Sequence, residues 1–112
     1  MQRESIGELE ELVLLAVGSL FDKAYAIAVL EVIEQNSKRS LDVTAIHAVL
    51  RRLDTKGYVK SVMGGATKER GGRRKRLFTL TQAGRVVLDD VMAVRTALYN
   101  KIITISFAGL SL

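Results

Sequence analysis

The stretch from Asp42 to Thr81 leaves this chain few folds to choose from. Its first part places Ile46, Val49, Leu50 and Leu53 at the i, i+3, i+4, i+7 spacing of one helix face, with Asp42 ahead of them as a good N-cap. Gly57 closes that helix, and Tyr58 to Val62 reads as a short strand with Val59 as its core contact. A loop rich in glycine and arginine follows, its tip bracketed by Gly64-Gly65 and Gly71-Gly72, where the missing Cβ lets the backbone turn and approach another surface. Leu77, Phe78 and Leu80 form a returning strand, and Thr81 caps the next helix. The order predicts an amphipathic helix with a basic β-hairpin beside it.

Charge is concentrated in the same stretch. Residues 51 to 76 hold ten Lys or Arg against Asp54 and Glu69, which is +8 locally, while the remaining seven basic and ten acidic residues give −3. One cationic region on a mildly acidic body is suited to a polyanion. The competing explanation, a solvated loop kept soluble by its charges, fits less well behind a helix whose outer face is itself polar and basic.

Composition excludes several classes. The length of 112 residues suits one domain with one core, and 48% hydrophobic residues can fill it. The absence of cysteine removes disulfides and thiolate metal sites, and the single histidine, His47, would need several carboxylates to converge on it to hold zinc. No metal or other cofactor is expected. There are no paired carboxylates in a recognisable site and no nucleophile motif, so an enzyme is not expected either. The glycines of the basic loop do not form Gly-x-x-x-x-Gly-Lys-Ser/Thr, and no helix N-terminus follows them to receive a nucleotide's phosphates. No apolar run reaches the length of a bilayer span and the start is not signal-like, which gives the expectation of a cytoplasmic protein.

Around this stretch the chain reads as helical. Ser5-Ile6-Gly7-Glu8 has the spacing of a capping box, and Leu9, Leu12, Val13, Ala16, Val17 and Leu20 form a buried stripe behind it. Leu14 and Leu15 make other sides of this first helix apolar too, as expected either of a fully wrapped central helix or of one with a partner outside its domain. Asp22 and Lys23 mark a turn, and Ala26, Ile27, Val29, Leu30 and Ile33 form a second helix ended by Asn36-Ser37-Lys38-Arg39-Ser40. A fourth helix runs from about Gln82 towards Ile102. Val87, Val91, Val94 and Leu98 on it make a short coiled-coil seam, with Leu88, Met92 and Tyr99 as a neighbouring stripe. Residues 103–112 are apolar and rich in β-branched side chains, and either extend that contact or fold back over the core.

Together these elements predict a mainly α fold with a small β-hairpin wing. It is a winged helix-turn-helix over residues 1–81, with a C-terminal dimerisation helix and tail over 82–112. Opposite its apolar face the third helix carries Thr44, His47, Ala48, Arg51 and Thr55. Thr44 and His47 can reach base edges in a major groove, Ala48 allows close approach, and Arg51 can reach a phosphate or a guanine. Arg52 and the wing cations Lys68, Arg70, Arg73, Arg74, Lys75 and Arg76 complete the expected DNA-binding set. Leu14, Val87, Val91, Val94, Leu98, Tyr99 and Ile102 are the expected dimer contacts. The alternative from another class is a winged-helix module that binds a protein partner.

The chain also resembles the compact PadR-type transcriptional regulators over nearly its whole length. The matching residues are Gly7 to Ala16, Ala24-Tyr25-Ala26-Ile27, Val49-Leu50-Arg51-Arg52-Leu53 with Lys56-Gly57-Tyr58-Val59, and Gly71 to Thr81 with Gly84. The resemblance implies a homodimeric winged-helix repressor joined through its last helix with help from the first. It also implies double-stranded DNA as a partner and release by a small-molecule inducer, here unidentified. Two departures stand out. Thr44 and His47 occupy positions where a glycine and a tyrosine are common, which points to a different operator or a weaker contact. Some members bind flat aromatic drugs with a tryptophan of the last helix, for which this chain offers only Tyr99.

Overall fold

The structure is a computed structural model that describes residues 6–66 and 74–109, the side chains of 65, 66, 74 and 103–109 excepted. Helix α1 spans Glu8–Leu20, and a 3-10 turn at Phe21–Lys23 leads to α2, Ala26–Ser37. Helix α3 spans Val43–Thr55, strands β1 (Val59–Ala66) and β2 (Arg74–Leu80) pair antiparallel, and α4 spans Gln82–Gly109. This is the expected mainly α fold with a two-stranded wing.

Helix α1 is the centre of the packing. It touches α2, α3, β2 and α4, so its apolar residues are covered from several sides at once. Val13, Leu14, Ala16 and Val17 are buried with Val29 and Ile33 of α2, and with Ile46, Val49, Leu50 and Leu53 of α3. Leu14, expected to meet a partner subunit, is instead fully enclosed in its own chain and has no surface to offer. Leu15, its neighbour, is an apolar residue of this helix that is exposed. The helix cap also sits two residues later than the expected capping box, and only the glutamate half of such a box is present, since glycine has no side chain to accept. Gly7 is the N-cap, and its N–H donates to Glu10 Oε1 at 2.8 Å. Ser5 lies outside the described residues.

Helix α3 starts where its sequence says, with the Asp42 carboxylate accepting from the Thr44 N–H at 2.9 Å. It ends at Gly57, which has φ +82°, a conformation that an L side chain rarely adopts. The turn lets Tyr58 N–H reach back to Leu53 O at 2.9 Å and sends the chain directly into β1. In the hairpin Val59 lies opposite Leu80, Ser61 opposite Phe78 and Met63 opposite Arg76, with an irregularity between Met63 and Ala66. The strands are longer than the sequence suggests. Arg74, Lys75 and Arg76 belong to β2 and not to the loop, because a two-stranded ribbon leaves positions open to water where charged side chains are tolerated.

Thr81 fixes the start of α4. Its hydroxyl donates to Gly57 O at 2.7 Å and accepts from Gly84 N–H at 3.0 Å, so one side chain ties the end of α3 to the next helix. The first turns of α4 then pack inward. Val87 and Leu88 are core residues, and Val91 is half-buried against the same core. Val87 is therefore not part of a surface seam, because its rotation about the helix points it at its own domain. Beyond Val91 the helix leaves the core. Met92, Val94, Leu98, Tyr99 and Ile102 stand exposed, the last four at 58–63%. The helix continues to Gly109, and at a rise of about 1.5 Å per residue its 28 residues span roughly 42 Å. Residues 103–109 therefore extend away from the core instead of folding back over it. Arg95 holds this rod to α1, its guanidinium meeting the Glu11 carboxylate at 2.9 Å.

Candidate nucleic-acid interface

A cleft of about 700 Å³ opens between α3, the start of α2 and the hairpin. One wall is the α3 stripe His47, Arg51 and Asp54, spaced i, i+4, i+7 and so aligned on one helix face. Lys75, Arg76 and Phe78 of β2 form a second wall, and Tyr25, Ala26 and Ile27 close the end. Three cationic side chains, one acid and an imidazole thus surround a partly apolar floor.

Local contacts hold the walls in place. The Phe78 N–H donates to Ala24 O at 3.0 Å, which seats β2 against the segment that precedes α2. That contact brings the Lys75 ammonium to 5.8 Å from the centroid of the Tyr25 ring, within cation–π range. On the other side, Ser61 of β1 donates to Asp54 Oδ2 at 3.3 Å and accepts from Arg76 Nη1 at 3.0 Å. The hairpin is thereby joined to both α2 and α3.

The expected DNA-binding residues divide into four groups. His47, Arg51, Lys75 and Arg76 come together in the cleft. Thr44 is exposed and Ala48 half-buried on α3, outside the cleft walls. Arg52 is turned elsewhere: its Nε lies 3.9 Å from Glu10 Oε2, so the guanidinium attends to an acid of α1 and not to the cleft. Lys68, Arg70 and Arg73 lie outside the described residues, as does the side chain of Arg74.

Glu10 deserves its place as the anchor of α3. Burial would raise its carboxyl, but the Gly7 N–H, the hydrogen bond from Lys56 at 3.0 Å, and the charges of Lys56 and Arg52 together hold it below the ordinary carboxylate range. Tyr25, Ile27 and Asp54 were not expected in the cleft. For Asp54 a signal existed, since it continues the His47 and Arg51 stripe by helical spacing. Tyr25 and Ile27 reach the site through the packing of β2 on the segment before α2, which no periodicity records.

No family model and no curated protein matches the chain. Solved structures do. A PadR-like transcription factor from Bacteroides fragilis superimposes with a TM-score of 0.70 at 18% identity, over 87% of this chain and 88% of that one. A PadR family transcription regulator from Clostridium difficile R20291 does so with a TM-score of 0.67 at 19% identity, over 92% and 100%. Bacillus subtilis PadR in complex with operator DNA gives a TM-score of 0.58 at 20% identity, over 75% of this chain and 46% of that one. The chain shares the winged-helix fold of these PadR-family structures.

Proposed function

We propose that this chain is a DNA-binding transcriptional regulator, a repressor that reads a palindromic operator as a homodimer in the cytoplasm. The observation that carries the reading is the cleft itself, where His47 and Arg51 of α3 face Lys75 and Arg76 of β2. An α-helix about 10–12 Å across fits a major groove about 12 Å wide, and a hairpin beside it can follow the phosphate backbone. In this reading His47 and Thr44 address base edges, while Arg51, Lys75 and Arg76 address phosphates or guanine. Support also comes from the fold shared with a PadR protein solved on operator DNA. Among the described residues no helix is long and apolar enough to cross a membrane.

Residues 1–81 provide the DNA-binding unit and 82–112 the dimer contact, with the first turns of α4 serving the core of the former. The exposed Val94, Leu98, Tyr99 and Ile102 supply the apolar surface that a second copy would cover. A salt titration of binding to the DNA upstream of the chain's own gene tests the reading. A dimer making about six phosphate contacts loses roughly a thousandfold in affinity between about 50 and 200 mM salt. A flat titration would overturn it in favour of a protein partner.

A further inference from the structure

The Ser61 hydroxyl sits between an acid of α3 and a guanidinium of β2. Its hydrogen is directed to Asp54 Oδ2 and its lone pair accepts from Arg76 Nη1. Among the described residues no direct ion pair joins Asp54 to Arg76, although both line the cleft. Strand pairing sets this up, because Ser61 opposite Phe78 and Met63 opposite Arg76 share one face of the ribbon, the face that carries buried Val59 and Phe78.

We propose that Ser61, backed by Asp54, is a positioning residue that aims Arg76 at a phosphate of bound DNA. The inference rests on the DNA-binding reading above. A hydroxyl can donate to a carboxylate while accepting from a guanidinium, which an apolar side chain of the same size cannot do. Arginine has five donors in a planar fork, and the bond to Ser61 uses one of them. A direct carboxylate–guanidinium pair tends instead to be bidentate, occupying the fork and neutralising the charge that a phosphate would meet. With Ser61 interposed, Asp54 orients the arginine without taking its binding face. The same chain of bonds links α3, β1 and β2, so it also sets the angle between the helix and the wing.

The test uses the full chain, a mixed-sequence DNA duplex and four variants: Ser61→Ala, Arg76→Ala, the double variant and Ser61→Thr. Melting curves confirm that each is folded. Arg76→Ala is expected to weaken binding about tenfold and to lower the salt slope by about one phosphate per subunit. Ser61→Ala is expected to reproduce most of that loss, about three- to tenfold, with the same fall in slope, and to add nothing in the Arg76→Ala background. Ser61→Thr, which keeps the hydroxyl, restores binding. If Arg76→Ala weakens binding while Ser61→Ala does not, or if the two losses multiply in the double variant, the positioning role is wrong and DNA binding stands. If the wild-type chain binds no duplex at low salt, the DNA-binding reading falls and takes this inference with it.

Discussion

The Glu10 carboxylate on α1 accepts a hydrogen bond from the Lys56 ammonium at the end of α3, 3.0 Å away and 46 residues later in the chain. Side-chain exposure is 10% for Glu10 and 21% for Lys56, so water screens the pair only partly. The contact fixes the C-terminal end of the helix that lines the cleft to the central helix of the core. Arg52 Nε lies 3.9 Å from the same carboxylate, while Arg51, on the helix face shared with His47 and Asp54, lines the cleft.

Replacing Glu10 with glutamine should therefore destabilise the fold by about 1–3 kcal/mol at neutral pH, since a charge-assisted contact is lost where solvent is scarce. The pH dependence has a definite sign. The folded carboxyl lies below its ordinary value of 4.5, so its contribution is fully present above that value and is lost as pH falls through the folded one. Melting temperatures of wild type and Glu10→Gln should converge on acidification. A gap between them that stays constant from pH 7 to about pH 3 would show that the Glu10 charge does not stabilise the fold.

Gly84→Ala is expected to destabilise as well, although alanine normally favours a helix by about 1 kcal/mol over glycine. A Cβ at Gly84 would run into the Tyr58 carbonyl oxygen, and would lie 2.8 Å from Leu80 Cδ1 and 3.0 Å from the Tyr58 carbonyl carbon. Backbone on one side and core on the other leave little room to relax, so the steric cost, about 1–3 kcal/mol or more, exceeds the helical gain. A urea midpoint at or above that of the wild type would refute the close approach of α4 to the Tyr58 backbone just before β1.

Much of this was legible because local signals agree with each other. Asp42, the apolar stripe from Ile46 to Leu53, and Gly57 define α3 at its start, face and end, and each rule holds in the structure. The misplacements have a common cause, in that helical spacing gives a face but not the neighbour that covers it. Leu14 lies off the main stripe of α1 and Val87 on the stripe of α4, and both turn inward, because α1 is wrapped by α2, α3, β2 and α4, and the first turns of α4 lie on that core. Arg52 looked like its neighbour Arg51 in a basic run. Its partner, Glu10, sits on another helix, and only the tertiary fold brings them together.

The cleft residues should separate by role. His47→Ala is expected to change which sequence is preferred, by about 1–3 kcal/mol at the base pair it addresses. Lys75→Ala should weaken binding to all sequences alike and reduce its salt dependence, because phosphates carry no sequence. Selection from a randomised duplex library checks both. An unchanged consensus with His47→Ala would remove His47 from base readout.

The division of α4 into an inward and an outward half gives the sharpest test of the assembly. Val87 is 5% exposed and Leu98 58% exposed, although both lie on the same four-three-four series of apolar positions. An aspartate at Val87 would have to be buried without a partner, at a cost of several kcal/mol, and Val87→Asp should fail to fold or melt far below the wild type. An aspartate at Leu98 meets water in the single chain and is buried only if a second copy covers the outer half of the helix. Leu98→Asp should therefore remain helical and folded but run as a monomer in light scattering. Specific operators are usually read by two recognition helices set about 34 Å apart, so this monomer should keep weak, salt-sensitive DNA binding and lose its preference for a palindrome over a half-site. A Leu98→Asp protein that stays dimeric with unchanged operator affinity would mean that subunits do not meet through the outer half of α4.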